Sequence, residues 1–203
     1  MKQIDRDTHK VKSKNRYKTK TDKTQIVIGC SLRKSNYHIN RMKHKEYGNS
    51  KRWNTYTISR SGKIYEHYDP QFYSDFLGMK DVDKKSISIV LENMGGLVKT
   101  PQGEFINWLN EKCLPEFVVE KRFMAQYYWE AITKEQYDSL HFLCGKLCDD
   151  FGIKKKIMEF HHPHKDVERF KGIVFRSNYI EDSTDINPLF DIQFFQRLLN
   201  GDA

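Results

Sequence analysis

The residue types that could do chemistry in this chain are gathered at a few places. His161-His162-Pro163-His164 sets three imidazoles within four positions, and together with His67, His38 or Cys30 they could supply a metal site. Pro163 keeps them off a shared helical face, and the stretch from Lys154 to Lys171 is polar, so a solvated loop is the expected reading. Cys30 beside Ser31 could be a nucleophile at a strand end or a small buried residue. Cys144 and Cys148 lie one helical turn apart on an apolar face, and none of the four cysteines, Cys113 included, forms a Cys-x-x-Cys pair. Buried thiols in a reducing compartment are therefore expected.

Positively charged side chains form the other candidate surface. The net charge is +8, from 35 Lys and Arg against 27 Asp and Glu. From Met1 to Thr24 there are nine basic and three acidic residues, so +6 of that charge sits in the first 24 positions. Ile4, Val11 and Tyr17 are its only sizeable apolar side chains, too few to offset the entropy of ordering it alone. The reading is a basic, flexible N-terminal arm over residues 1–24, solvated or lying along the domain, with contact to nucleic acid, an anionic polymer or a protein partner as the alternative use. No apolar stretch of about 7–15 residues follows the basic start, so no secretion signal is read there.

These residues need a scaffold, and the composition allows one. With 203 residues, 38% apolar and 13% aromatic, the chain can bury one core, which excludes a disordered tail or a fibrous repeat. No apolar run approaches the roughly 18 residues that span a bilayer, so no membrane partner is expected. Ile26-Val27-Ile28-Gly29-Cys30-Ser31 reads as a buried strand opening into a loop, and Ser86 to Glu92 as the central strand, stopped by Gly95-Gly96. Trp53 to Glu66 reads as a hairpin turning at Ser61-Gly62, and a second small hairpin surrounds Thr100 to Glu104. Ile39, Met42 and Tyr47 mark a weak helical stripe. Thr133-Lys134-Glu135-Gln136 is a capping box that starts a helix ending at Gly152. Gly172 to Phe175 is a further short strand, and Leu189 to Leu199 a closing helix. The fold class is α/β: residues 25–203 form a mixed central β-sheet flanked by helices.

In that order the signals resemble the type 2 N-acetylmuramoyl-L-alanine amidases, which include phage lysozyme-type amidases and the peptidoglycan recognition proteins. The resemblance covers roughly Thr24 to Leu199. It rests on the opening strand Ile26 to Ser31, the hairpin Ile58 to Tyr65, the strand Ser86 to Asn93, the stretch Trp129 to Tyr137 that leads into the long helix, and the loop Thr184 to Asp191. It implies cleavage of the amide between the muramyl lactyl group and L-alanine by one zinc held by two His and a third Asp, Cys or His. Such a metal polarises the carbonyl and lowers the pKa of bound water.

The resemblance places the three ligand positions at Gly29, Arg176 and Asp185, and only Asp185 retains a ligand. A guanidinium would repel zinc, and one oxygen ligand cannot hold it. Asn54 and Thr55 replace the hairpin Tyr and His, Asp75 the substrate-loop His before Gly78, and Val90 the Glu of some members. Arg176 facing Asp185 would form an ion pair in place of the metal. The same alignment puts no His near Cys30, which leaves it a small buried residue.

The resemblance thus implies an amidase-like pseudoenzyme with no cofactor. Its groove, lined by Trp53, Asn54, Asp75, Arg176, Asn178, Tyr179 and Asp185, would bind peptidoglycan fragments or serve as an interaction module. The alternatives are an active, zinc-bearing, endolysin-like amidase with altered ligands, and an interaction module that uses the basic arm. The expected location is the cytoplasm of the producing cell, with a phage particle or release at lysis as further options.

Overall fold

The computed structural model describes residues 3–33, 39, 51–159, 161–181 and 185–202. His38, Met42, Tyr47 and Thr184 lie outside the described residues, whereas Ile39 is buried. The eleven strands described are β1 (Ile4–Asp5), β2 (Gln25–Cys30), β3 (Tyr56–Ile58), β4 (Ile64–Glu66), β5 (Ser86–Leu91), β6 (Gly96–Lys99), β7 (Phe105–Ile106), β8 (Lys112–Cys113), β9 (Val118–Phe123), β10 (Gln126–Glu130) and β11 (Gly172–Phe175). The α-helices described are α1 (Lys80–Lys85), α2 (Lys134–Phe151) and α3 (Ile192–Asn200).

The central sheet has the order β1-β4-β3-β5-β2-β11 and is mixed. β2 runs parallel to both β5 and β11, and β3 pairs parallel with β5 but antiparallel with β4 across the Ser61-Gly62 turn. Gly62 has a φ of 76°, and a Cβ there would lie 2.6 Å from the Glu135 carbonyl, so the turn requires glycine both for its backbone and for its fit against α2.

Both faces of the sheet are covered, which is why β2 and β5 read as near-continuous apolar runs. Alternate residues Ile26, Ile28, Ile87, Ile89 and Phe175 share a core with Leu140, Leu143, Cys144 and Leu147 of α2 and Phe195 of α3. On the opposite face Val27 and Val174 pack against Met158 and Val167 from the polar segment 154–171. That segment is thus a lid over the sheet, anchored where Ile157 bridges Ile173.

The helix begins at the expected cap. Thr133 accepts the Gln136 N–H, the Gln136 side chain returns the bond to the Thr133 N–H, and Gly152 ends the helix in the left-handed conformation. Trp129 and Glu130 precede it as the end of β10 rather than as helix. The second sheet, β8-β7-β6-β10-β9, is antiparallel and extends well beyond the small hairpin expected around Thr100. All four cysteines are buried and unpaired by disulfide.

The basic segment lies along the domain. β1 pairs parallel with β4, and the N–H groups of Val11, Tyr17, Thr21 and Thr24 donate to the carbonyls of His67, Tyr73, Gln71 and Lys85. Its aromatic and cationic side chains interleave with the domain's: Tyr17 stacks on Tyr73 at 4.5 Å, and the Arg16 guanidinium lies 3.6 Å over Phe72. Among the described residues no helix is long and apolar enough to cross a membrane.

Candidate functional site: an arginine-filled cleft at the strand ends

Parallel pairing fixes the centre of the site. The β2–β11 register aligns Ile28 with Phe175, so Arg176 leaves the sheet beside Gly29, and Val90 of β5 lies opposite Gly29 on the other side. A Cβ on Gly29 would lie 3.5 Å from Arg176 Cβ and 3.6 Å from the Phe76 ring, which is ordinary contact. The Arg176 Nη1–H donates to Asp185 Oδ2 at 3.1 Å, and the Cys30 backbone N–H donates to Asp185 Oδ1 at 3.2 Å. The Ser177 N–H closes the loop on the Asp185 carbonyl. The structure therefore brings Gly29, Arg176 and Asp185 together and pairs the two charged ones.

Burial governs the electrostatics of this centre. The Asp185 side chain is 2% exposed, and desolvation pushes its carboxyl above the ordinary value, with Arg176 and the Cys30 N–H pulling the other way. Burial likewise pushes the Cys30 thiol far up, with the Asp185 charge adding to it, so the thiolate that a nucleophile needs is suppressed.

Around this centre opens a cleft of about 330 Å³. Trp53, Asn54, Asp75 and Arg176, named from the sequence as groove residues, line it, as does Val90, named there only for the Glu it replaces; Arg33, Arg52, Phe76 and Trp108 line it without having been named. One of these had a readable signal: Arg52 adjoins Trp53. Trp108 is 62% exposed, donates its indole N–H to the Leu32 carbonyl at 3.1 Å, and has the Arg33 guanidinium 5.3 Å from its ring. Asp75 accepts a bond from the Tyr17 hydroxyl at 3.3 Å, so the basic segment reaches the rim of the cleft.

Other expected residues turn elsewhere. Thr55 bonds to the Tyr68 and Ser88 hydroxyls beneath the hairpin. The Asn178 carboxamide accepts from the Phe175 N–H and donates to the His162 carbonyl, a local brace at the end of β11. The Tyr179 hydroxyl donates to the Gln25 side chain at 2.6 Å, and its ring packs against the core of the 154–171 lid. Asn178 and Tyr179 thus do not line the cleft. Within the cleft, the Asn54 amide donates to Tyr56 O and Thr57 Oγ1, and Trp53 is 2% exposed in a cluster with Tyr68, so neither presents a broad face to a ligand.

The histidines are equally engaged. His161 stacks on Phe175 at 5.9 Å, the His164 ring accepts from the Asp166 N–H, and His67 is fully buried between Thr57 Oγ1 and the His9 carbonyl. Among the described residues no three His, Cys, Asp or Glu side chains converge as metal ligands.

The cleft centre does not fit zinc. Glycine at position 29 offers no donor, and the Arg176 guanidinium lies on the Asp185 oxygen that a metal would need. A cation already occupies the position beside the carboxylate, and it can neither accept ligands nor ionise a bound water.

Residues 17–172 match the family model described as N-acetylmuramoyl-L-alanine amidase. No curated protein matches the chain. Among solved structures it resembles the N-acetylmuramoyl-L-alanine amidase LysC from Clostridium intestinale, with a TM-score of 0.58 and 12% identity over 98% of this chain and 99% of that one. It also resembles the Ph2119 endolysin of a Thermus scotoductus bacteriophage, with a TM-score of 0.54 and 10% identity over 97% and 99%. The amidase AmiD from E. coli, in complex with anhydro-N-acetylmuramic acid-L-Ala-D-γ-Glu-L-Lys, gives a TM-score of 0.54 and 14% identity over 87% of this chain and 57% of that one. The match over residues 17–172, more than half of the chain, places it in the N-acetylmuramoyl-L-alanine amidase family.

Proposed function

We propose that this chain is an amidase-like domain that binds peptidoglycan fragments without cleaving them. The observation that supports this reading is the Arg176–Asp185 ion pair at two of the three positions where the family resemblance expects metal ligands, with Gly29 at the third. Hydrolysis of an unactivated amide at neutral pH needs its carbonyl polarised and a water made nucleophilic. Arg176 can offer hydrogen bonds to a carbonyl but cannot lower the pKa of a water, so the cleft holds a ligand's amide in place and leaves it intact.

The binding elements support the same reading. The cleft joins cationic donors at Arg176 and Arg52 with the exposed Trp108 ring, a combination suited to peptide carboxylates and the faces of sugars. The relation to phage endolysins favours a phage-encoded protein that acts in a particle or after lysis.

The test is to sediment the chain with purified peptidoglycan sacculi and to assay the supernatant for newly freed L-alanine amino groups. Saturable co-sedimentation with no new amino groups is expected. Release of amino groups would establish an active amidase with altered ligands, and absence of both binding and release would refute the binding role.

A further inference from the structure

Residues 8–21 contain no Asp or Glu and carry a cation at every second position from 10 to 20: Lys10, Lys12, Lys14, Arg16, Lys18 and Lys20. The structure gives that alternation a direction. The N–H groups of Val11, Tyr17 and Thr21 donate to the carbonyls of His67, Tyr73 and Gln71, the Val11 side chain packs on the Trp53–Tyr68 cluster, and the Thr21 hydroxyl donates to the Lys84 carbonyl at 2.6 Å. These odd-numbered positions hold the segment on the domain, while all five lysines of the even-numbered set are exposed. Among the described residues none of the five ammonium groups has a hydrogen bond or an ion pair, and the nearby carboxylates of Asp5 and Glu66 are taken by Lys63 and Arg6. Asp7 and Asp22 flank the row without entering it. Holding like charges along a fixed backbone costs self-repulsion, which a polyanion lying on the row would offset.

We propose that this row of lysines is a docking strip for a phosphodiester polymer of the cell wall, bound alongside the cleft. An ammonium is a compact point charge suited to phosphate, whereas planar carboxylates favour the fork of arginine. The strip offers no ring for bases to stack on, the usual device for holding single-stranded nucleic acid. Tyr17 is stacked on Tyr73 with Lys51 Nζ 4.8 Å over its ring, and the Phe72 ring lies under the Arg16 guanidinium at 3.6 Å. The strip also reaches the cleft, where the Tyr17 hydroxyl donates to Asp75 at 3.3 Å. The choice of a wall polymer over other polyphosphates rests on the fragment-binding reading, which the strip extends to a second component of the same wall.

The test compares the full chain with a variant carrying Lys10→Gln, Lys12→Gln, Lys14→Gln, Lys18→Gln and Lys20→Gln, which removes the charges and leaves the backbone bonds of the segment in place. An unchanged melting temperature is expected and serves as the fold control, and the five Lys→Arg changes, which keep the charge, should retain binding. With a glycerol-phosphate polymer as the probe, wild-type affinity is expected to fall about 100-fold between roughly 50 and 200 mM salt, as for five displaced counterions on a single strand. In the Lys→Gln variant that dependence should flatten and the affinity at low salt drop about tenfold or more. Unchanged affinity in this variant overturns the strip. Single-stranded DNA of equal charge is expected to bind no more tightly than the polymer, and clearly tighter binding of DNA would make nucleic acid the partner and overturn the wall assignment. Peptidoglycan sacculi stripped of phosphodiester polymer with hydrofluoric acid report on the cleft alone, so wild type and variant should bind them equally. Polymer binding lost in the variant, with no binding of stripped sacculi by either protein, keeps the strip and removes the fragment-binding reading.

Discussion

Replacing Arg176 by leucine is expected to lower the stability of the fold by about 2–4 kcal/mol at pH 7, somewhat less than the usual cost of breaking a fully buried pair, because the guanidinium is 36% exposed whereas Asp185 is 2% exposed. The loss comes from the carboxylate left behind. Asp185 would keep the Cys30 N–H at 3.2 Å but lose the guanidinium, and would have to stay ionised in the interior. Its carboxyl already lies above the ordinary carboxylate value through burial, and Arg176 restrains the rise. Without the arginine the folded-state pKa climbs further. A carboxyl whose folded pKa is raised destabilises the fold above that pKa, and the penalty disappears as pH falls through the raised value toward the unfolded one, because the proton neutralises it in both states. Urea denaturation of wild type and Arg176→Leu should therefore differ most at neutral pH and converge on acidification. Arg176→Leu/Asp185→Asn should recover much of the difference at pH 7. A loss that does not vary with pH would show that Arg176 acts through packing rather than through its charge.

Removing residues 1–24 is expected to cost about 4 kcal/mol or more, a fall in Tm on the order of 10 °C. The segment donates four backbone hydrogen bonds to the domain besides the β1–β4 pairing. It buries Lys23, whose Nζ donates to the Lys84 carbonyl at 2.8 Å and whose pKa burial pulls down to about 8. Val11 packs on the Trp53–Tyr68 cluster, so truncation also uncovers the wall of the cleft. A merely solvated tail would leave the melting temperature unchanged, and calorimetry of the truncated chain distinguishes the two.

The contrast between these segments shows where the sequence is informative. β2, β5 and α2 are written in local signals, namely aliphatic runs, a capping box and a terminal glycine, and they form where those signals place them. β9 is not legible in this way: Glu120, Lys121 and Arg122 are exposed on an edge strand, and its pairing with β10 comes from residues that look like a loop in isolation. The basic segment is ordered by bonds to carbonyls some 50 to 60 positions away, which no local pattern encodes. The site divides similarly. Gly29, Arg176 and Asp185 meet because two parallel strands end side by side, a consequence of topology that the family resemblance supplied. Asn178 and Tyr179 follow Arg176 in sequence, yet the 3₁₀ turn at Arg176–Asn178 carries them to the Phe175 N–H and to Gln25 instead.

The account turns on whether the guanidinium of Arg176 has taken the place of the metal. Elemental mass spectrometry of the purified, untagged chain, before and after incubation with zinc and removal of the excess, measures this directly. The expected result is no stoichiometric zinc in either sample and no change in an Asp185→Ala variant. About one zinc per chain, lost on Asp185→Ala, would contradict the account and make this cleft a catalytic metal centre.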